Sequence, residues 1–222
     1  ELFLFPSLLY TTLSSTSNIG GADRARRAKN KILRSLERIV GKLVEERKFD
    51  ITLIDTSPFF GGATHLAWVA ADALIIPVRV DQHSMEALNL TLSMLKNKRM
   101  DFLRLNEEAG IDRVPKVHAI VMTHCGWNRQ HENTPDRSTQ SYLAQVVEIA
   151  SEYRDVFTSE DPIECVHLLD DFHSAGRISG TKRIPLAELK CGDFVTIEGH
   201  RLQVNVSLHR YQKEMKSLAS TI

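Results

Sequence analysis

The stretch FDITLIDTSPFFGGATHLAWVAADALIIPV, residues 49–78, places one carboxylate, Asp55, at the end of an apolar run. Thr56, Ser57 and Pro58 follow directly, and Gly61 and Gly62 come soon after. A carboxylate at a strand end is placed to hold Mg²⁺, usually through water, opposite a phosphate-binding loop. The same residue type at such a position also caps helices and starts turns. The glycine pair gives either a loop free to move or a tight entry into the next helix. A second group of chemistry-bearing residues is His124, Cys125 and His131. Their spacing matches no zinc signature, and no second Cys/His pair lies nearby. A Cys–His nucleophile lacks a third group to orient it.

These residues need elements to position them. Strands are expected at Ile51–Ile54, Ala73–Val78, Val117–Met122 and near Ile163–Leu168; the first is apolar apart from Thr52, as suits a parallel strand covered on both faces. Between them, helical spacing predicts one long helix over Ala22–Arg47, with Ala28, Ile32, Leu36, Ile39 and Leu43 on one face. A short helix is expected around Thr64–Ala71. Another is capped by Asp81 or Ser84 and runs to about Lys98, with Met85, Leu88, Leu92 and Leu95 inward. Asn97–Pro115 reads as a charged connection, His124–Arg137 as an irregular loop, and Ser138–Tyr153 as a helix. A short helical piece and a glycine-containing loop are expected over Asp170–Thr181. The tail Arg201–Ser220 reads as a closing helix in preference to a hairpin over DFVTIEGHRLQV. Alternating strands and helices predict an α/β fold, a doubly wound and mostly parallel sheet. Ligands of such sheets bind beyond the carboxyl ends of the strands, where Asp55 and Thr123 fall.

The 222 residues suffice for one sizeable α/β domain, and residues 1–222 are read as a single one. Lys+Arg and Asp+Glu are both 28, so any nucleic-acid surface would be a local patch rather than a global pull. Three separated cysteines, Cys125, Cys165 and Cys191, fit reduced thiols better than a disulfide framework. No apolar run approaches the ~20 residues of a membrane helix. The first residue is Glu1, and ELFLFPSLLY is too short and too uncharged at its front for a signal peptide. It reads as a strand, Leu2–Phe5, entering the fold in mid-topology, as in a truncated product or a partial gene sequence.

Taken together, FDITLIDTSP and AADALIIPVRVDQHSMEALNLTLSML resemble the ParA/MinD family of partition and positioning ATPases. Phe49, Asp50, Asp55, Pro58, Ala70, Ala71, Asp72, Pro77, Val78 and Glu86-Ala87-Leu88 follow that family's order and spacing. KVHAIVMTH, the loop with Arg137, and GTKRIPLAEL are similar too, so the resemblance spans the chain, most strongly over 49–96. It implies a P-loop NTPase fold of the deviant Walker A type and ATP with Mg²⁺ as cofactors. Asp55 would be the Walker B carboxylate that acts on Mg²⁺ through water and carries the catalytic role. Thr56 to Gly62, with Pro58, would be the switch that senses the γ-phosphate. Thr123 and Asn128 would border the adenine base, although Asn128 serves equally as an ordinary loop residue. The resemblance further implies a homodimer, a ParB-like partner, nonspecific DNA binding on the nucleoid, no membrane, and a bacterial cytoplasmic location. The alternatives are a non-catalytic ParA-like binding module and a MinD-like positioning ATPase.

The chain departs from the family at one point. Its strand, deviant Walker A loop (Lys-Gly-Gly-x-Gly-Lys-Thr) and first helix have no counterpart, since Gly20-Gly21 leads into ADRARRAKNK. Backbone N–H groups and lysines of that loop cradle the phosphates. The expectation is that these residues alone do not hydrolyse ATP. Arg24, Arg26, Arg27, Lys29, Lys31 and Arg34 make a basic helix start that serves as a solvated face in preference to a DNA patch.

Overall fold

The computed structural model describes residues 21–57, 60–128 and 134–222. The expected strand Leu2–Phe5, together with Pro58 and His131, lies outside the described residues. The elements are helices α1 (Ala22–Leu33), α2 (Ser35–Arg47) and α3 (Gly62–Ala70), strand β1 (Ala73–Arg79), then α4 (Gln82–Lys96) and α5 (Asp101–Ala109). Strand β2 (Lys116–Cys125), α6 (Arg137–Glu152), β3 (Val166–Asp170) and α7 (His173–Lys182) follow. A hairpin of β4 (Phe194–Ile197) and β5 (His200–Gln203) precedes the last helix, α8 (Leu208–Ala219). The architecture is mixed α/β: a parallel three-stranded sheet in the order β1-β2-β3, flanked by helices, as in a P-loop NTPase-type domain. β2 and β3 run parallel with Ile120 opposite Val166 and Met122 opposite Leu168, and a bulge shifts the register before Cys125 meets Asp170.

Contacts divide the chain into two compact units interleaved along the sequence. One comprises Glu1–Leu74, Asn89–His118 and Tyr153–Glu160; the other comprises Ile75–Leu88, Ala119–Glu152 and Asp161–Ile222.

In the first unit, α1 lies on α5, joined by Lys29 to Glu108 at 2.7 Å and by the Asn30 amide donating to the Ala109 carbonyl at 3.1 Å. Phe102 of α5 is fully buried, with its ring 4.9 Å from His65 and 5.2 Å from Trp68 of α3. Such tilted and edge-on pairs add to the area they bury. The helix α5 occupies what the charge pattern of Asn97–Pro115 presents as a connection. Its inward residues Phe102, Leu105, Asn106 and Ala109 follow the helical period, and Gly110 closes it at φ 67° with its N–H on the Glu107 carbonyl.

The long helix expected over Ala22–Arg47 is two helices. Arg34 leaves the helical region (φ −91°, ψ 12°) and its guanidinium turns to Glu37 at 2.5 Å. No proline or glycine marks this break. Of the expected apolar face, Ile39 and Leu43 are exposed, whereas Leu33 is fully buried.

The second unit has its core in Ala175, Ile178, Leu189, Ile197, Val204, Leu208 and Tyr211, drawn from α7, the hairpin and α8. Leu218 of α8 also packs with Ala119, Val121 and Leu169. The tail therefore contains both structures that the pattern offered as alternatives. The hairpin turns on Glu198 (φ 50°) and Gly199 (φ 80°), a two-residue turn needing two left-handed residues. Leu208, Tyr211 and Leu218, the apolar side of α8, are committed to this core and do not form a free membrane-binding face.

Two strands differ from expectation. β1 alternates exposed and half-buried residues rather than running fully buried, and it stands at one end of the described sheet. Pro77 explains the placement, because proline donates nothing to a ladder and sits on sheet edges. Ile51–Ile54 forms no strand at all: residues 51–57 are irregular, with Ile51 59% and Leu53 73% exposed. A strand exists only where a neighbour takes its hydrogen bonds, and no described strand pairs with this segment.

Candidate functional site

Asp55 and Thr56 sit in this irregular segment of the first unit, both exposed. The segment is tied to α3 by the Thr64 hydroxyl, which donates to the Ser57 carbonyl at 3.3 Å. Gly61 is the N-cap of α3, with extended backbone and its carbonyl accepting from the His65 N–H at 3.0 Å. The glycine pair therefore makes the tight helix entry.

The second unit carries a cleft of about 560 Å³ at the carboxyl ends of β2 and β3. Its volume lies in the range of small-ligand pockets, and its place is where open α/β sheets bind ligands. His124, Cys125, Trp127 and Asn128 line it from the end of β2, Asp170, Asp171 and His173 from the end of β3, and Asn205, Ser207, Arg210 and Tyr211 from α8 and its approach.

The β2 side is built by a short sequence of demands. Gly126 passes so close to Asp136 that a Cβ would collide with the carboxylate, so any other residue there would push the Asp136 side chain from its place. Its N–H donates to the Thr139 hydroxyl at 2.9 Å, and the Asp136 N–H donates to its carbonyl at 2.9 Å. Asp136 also accepts from the Thr139 N–H at 2.8 Å, capping α6. Asn128 donates its N–H to the Thr134 carbonyl at 2.8 Å, and Trp127 bridges Pro135. Two non-glycine residues at the strand ends hold left-handed backbone, His124 at φ 60° and His173 at φ 43°, a kind of strain that collects at binding sites. Cys125 is buried beneath the cleft, and burial pushes its thiol up to about 12, which removes it as a nucleophile.

Charge in the cleft is organised around Arg210. It forms a short ion pair with buried Asp170, and its Nε faces Glu214 Oε1 at 3.7 Å. The other oxygen of Glu214 accepts the Asp170 N–H at 2.9 Å. Burial, reinforced by the Asp170 charge, raises the Glu214 pKa. Arg210 Nε, Glu214 Oε1 and Trp127 Nε1 are buried without a hydrogen-bond partner. The Arg210 guanidinium carbon lies 5.4 Å from the Trp127 ring centre and 5.8 Å from that of Tyr211.

Residues 9–107 match the AAA domain family model. The match takes in just under half of the 222 residues, includes the 49–96 block, and supports a nucleotide-binding, P-loop ATPase type for that stretch. No curated protein and no solved structure matches the chain.

The expected site residues thus fall in two units. Asp55 and Thr56 belong to the first; Thr123 and Asn128 belong to the second, where Asn128 lines the cleft and Thr123 does not. The Thr123 hydroxyl instead lies 3.5 Å from the Val78 carbonyl. A triphosphate with Mg²⁺ needs a cradle of N–H groups and lysine beside the carboxylate. The 222 residues contain no Gly-Lys-Ser/Thr, and among the described residues no three His, Cys, Asp or Glu are grouped to hold a metal. The described residues do not fit that group, and no phosphoryl-transfer step follows from them.

Sequence reasoning missed Asp170, Arg210, Glu214 and Trp127. The one signal available was Asp170 itself, a carboxylate closing the apolar run Val166–Leu169 as Asp55 closes Ile51–Ile54.

Proposed function

We propose that the chain is the Walker B and base-binding part of a ParA-type ATPase that partitions a plasmid or chromosome. The observation that carries this reading is the ordered block over 49–96, lying inside the stretch that matches the AAA domain. In the intact protein, ATP and Mg²⁺ bind, two copies dimerise around the nucleotides, and the dimer holds DNA nonspecifically on the nucleoid of a bacterial cytoplasm. A ParB-like partner stimulates hydrolysis, which resets the switch. Asp55 acts on Mg²⁺ through water, Thr56 and Pro58 belong to the γ-phosphate switch, Asn128 borders the adenine in the cleft, and Thr123, outside the cleft lining, belongs to the strand end that leads to it. The test is the coding sequence upstream of Glu1. An in-frame Lys-Gly-Gly-x-Gly-Lys-Thr is expected there, and its absence sinks the reading of this chain as the remainder of such an enzyme.

A second reading, a non-catalytic ParA-like binding module, draws support from the missing Gly-Lys-Ser/Thr. This module has no nucleotide affinity, and calorimetric titration of the chain with ATP and Mg²⁺ tests that; tight binding contradicts the module and the reading of the missing loop alike.

A further inference from the structure

We infer that Arg210, carried on the C-terminal helix, is a ligand-contacting residue of the cleft and that it selects flat heteroaromatic rings by stacking. The inference rests on the reading of the cleft as a base site and adds to it a residue outside the motif block and outside the AAA match.

Three observations carry it. First, the guanidinium of Arg210 adjoins two aromatic rings, Trp127 and Tyr211, within the distance at which a cation and a ring attract. The guanidinium lies over the indole, and where its plane is open to the cleft it offers the flat, polarisable surface on which a heterocycle stacks. Second, the group is held and yet reachable. Asp170 pins it, Glu214 lies behind Nε, and the side chain keeps 37% of its surface open at the cleft. An arginine fixed by one carboxylate and backed by another loses little conformational freedom when a ring arrives. Third, the positive charge of Arg210 is already engaged. Asp170 pairs with it and Glu214 stands 3.7 Å from its Nε, while Asp171 accepts the His173 N–H. Arg210 therefore has little free positive charge to offer a highly anionic ligand. A neutral ring with acceptor atoms meets the Asn128, Asn205 and Ser207 polar groups and the Arg210 plane.

The experiment titrates adenosine, which lacks phosphates, into the wild-type 222-residue chain and into R210A and R210K. Binding is followed by heat and by Trp127 emission in a Trp68→Phe background. The expected result is that wild type binds adenosine, while both variants bind at least about tenfold more weakly with unchanged near-ultraviolet circular dichroism. R210K keeps the charge and loses the plane, so it guards against a failure of R210A to fold. Equal binding by wild type and R210K overturns the stacking assignment while leaving the base cleft standing. No adenosine binding by wild type, with or without ATP binding, overturns the cleft reading itself.

Discussion

Leu53 offers a direct test of the 51–57 segment on which the Asp55 assignment depends. Its residue is 73% exposed, so only about a quarter of its surface is withdrawn from water. Full burial of a leucine is worth about 1.5–3 kcal/mol, and Leu53→Ala should therefore cost about 0.5 kcal/mol. Leu92, with no exposed surface in the same unit, is the internal standard, and Leu92→Ala should cost about 2–5 kcal/mol through lost transfer energy and a cavity. Urea unfolding followed by Trp68 emission in a Trp127→Phe background reads the first unit alone. With a slope of about 2–3 kcal/mol/M, the midpoint should move by roughly 0.2 M for Leu53→Ala and about 1 M or more for Leu92→Ala. A Leu53→Ala shift equal to that of Leu92→Ala would refute the exposed segment and restore a buried strand at Ile51–Ile54.

Three further expectations follow from the charges and the missing cradle. Burial lowers the pKa of His65, against a hydrogen bond with Asn106 at 2.9 Å that raises it, so the unfolded chain takes up the proton first. Stability should fall as pH drops below the ordinary histidine value of 6.5, flattening once the folded value is passed, and His65→Gln should remove that slope in melts between pH 5 and 8. The Glu214 pKa is raised mainly by burial, so stability is lost as pH climbs from the ordinary 4.5 through the folded value; Glu214→Gln should melt higher than wild type at neutral pH and the same at pH 4. Mg²⁺·ATP should raise the melting temperature no more than adenosine at equal concentration, and phosphate release should stay at background for wild type and Asp55→Asn alike; a larger ATP shift that Asp55→Asn abolishes would show a phosphate site.

Where sequence pattern and local chemistry agreed, the elements were readable. Helix α4 is the clearest case: Asp81 accepts from the Ser84 N–H at 2.9 Å, and Met85, Leu88, Leu92 and Leu95 all face inward as their spacing predicts. β2 and α6 were legible for the same reason. Ile51–Ile54 misled because an apolar run records what a strand would bury and says nothing of whether a partner stands beside it. The break at Arg34 was hidden because an ion pair with Glu37, not a glycine or proline, marks it. Of the residues lining the candidate cleft, the motif order pointed to Asn128 alone. Another part comes from α8, whose Arg210 and Glu214 lie some forty residues beyond β3 and join the site only through the packing of that helix on the strand.

Pro77 in β1 has a consequence for how the chain meets its own copies. Among the described residues β1 stands at the end of the sheet, where a strand offers a row of donors and acceptors on which a second chain can grow, and it is apolar over Ala73–Val78. Proline deletes one donor near the end of that row, and Arg79 closes it with a charge. The pair acts as a gatekeeper, so Pro77→Val should leave the fold intact while turning a strand that resists templating into one that nucleates aggregates.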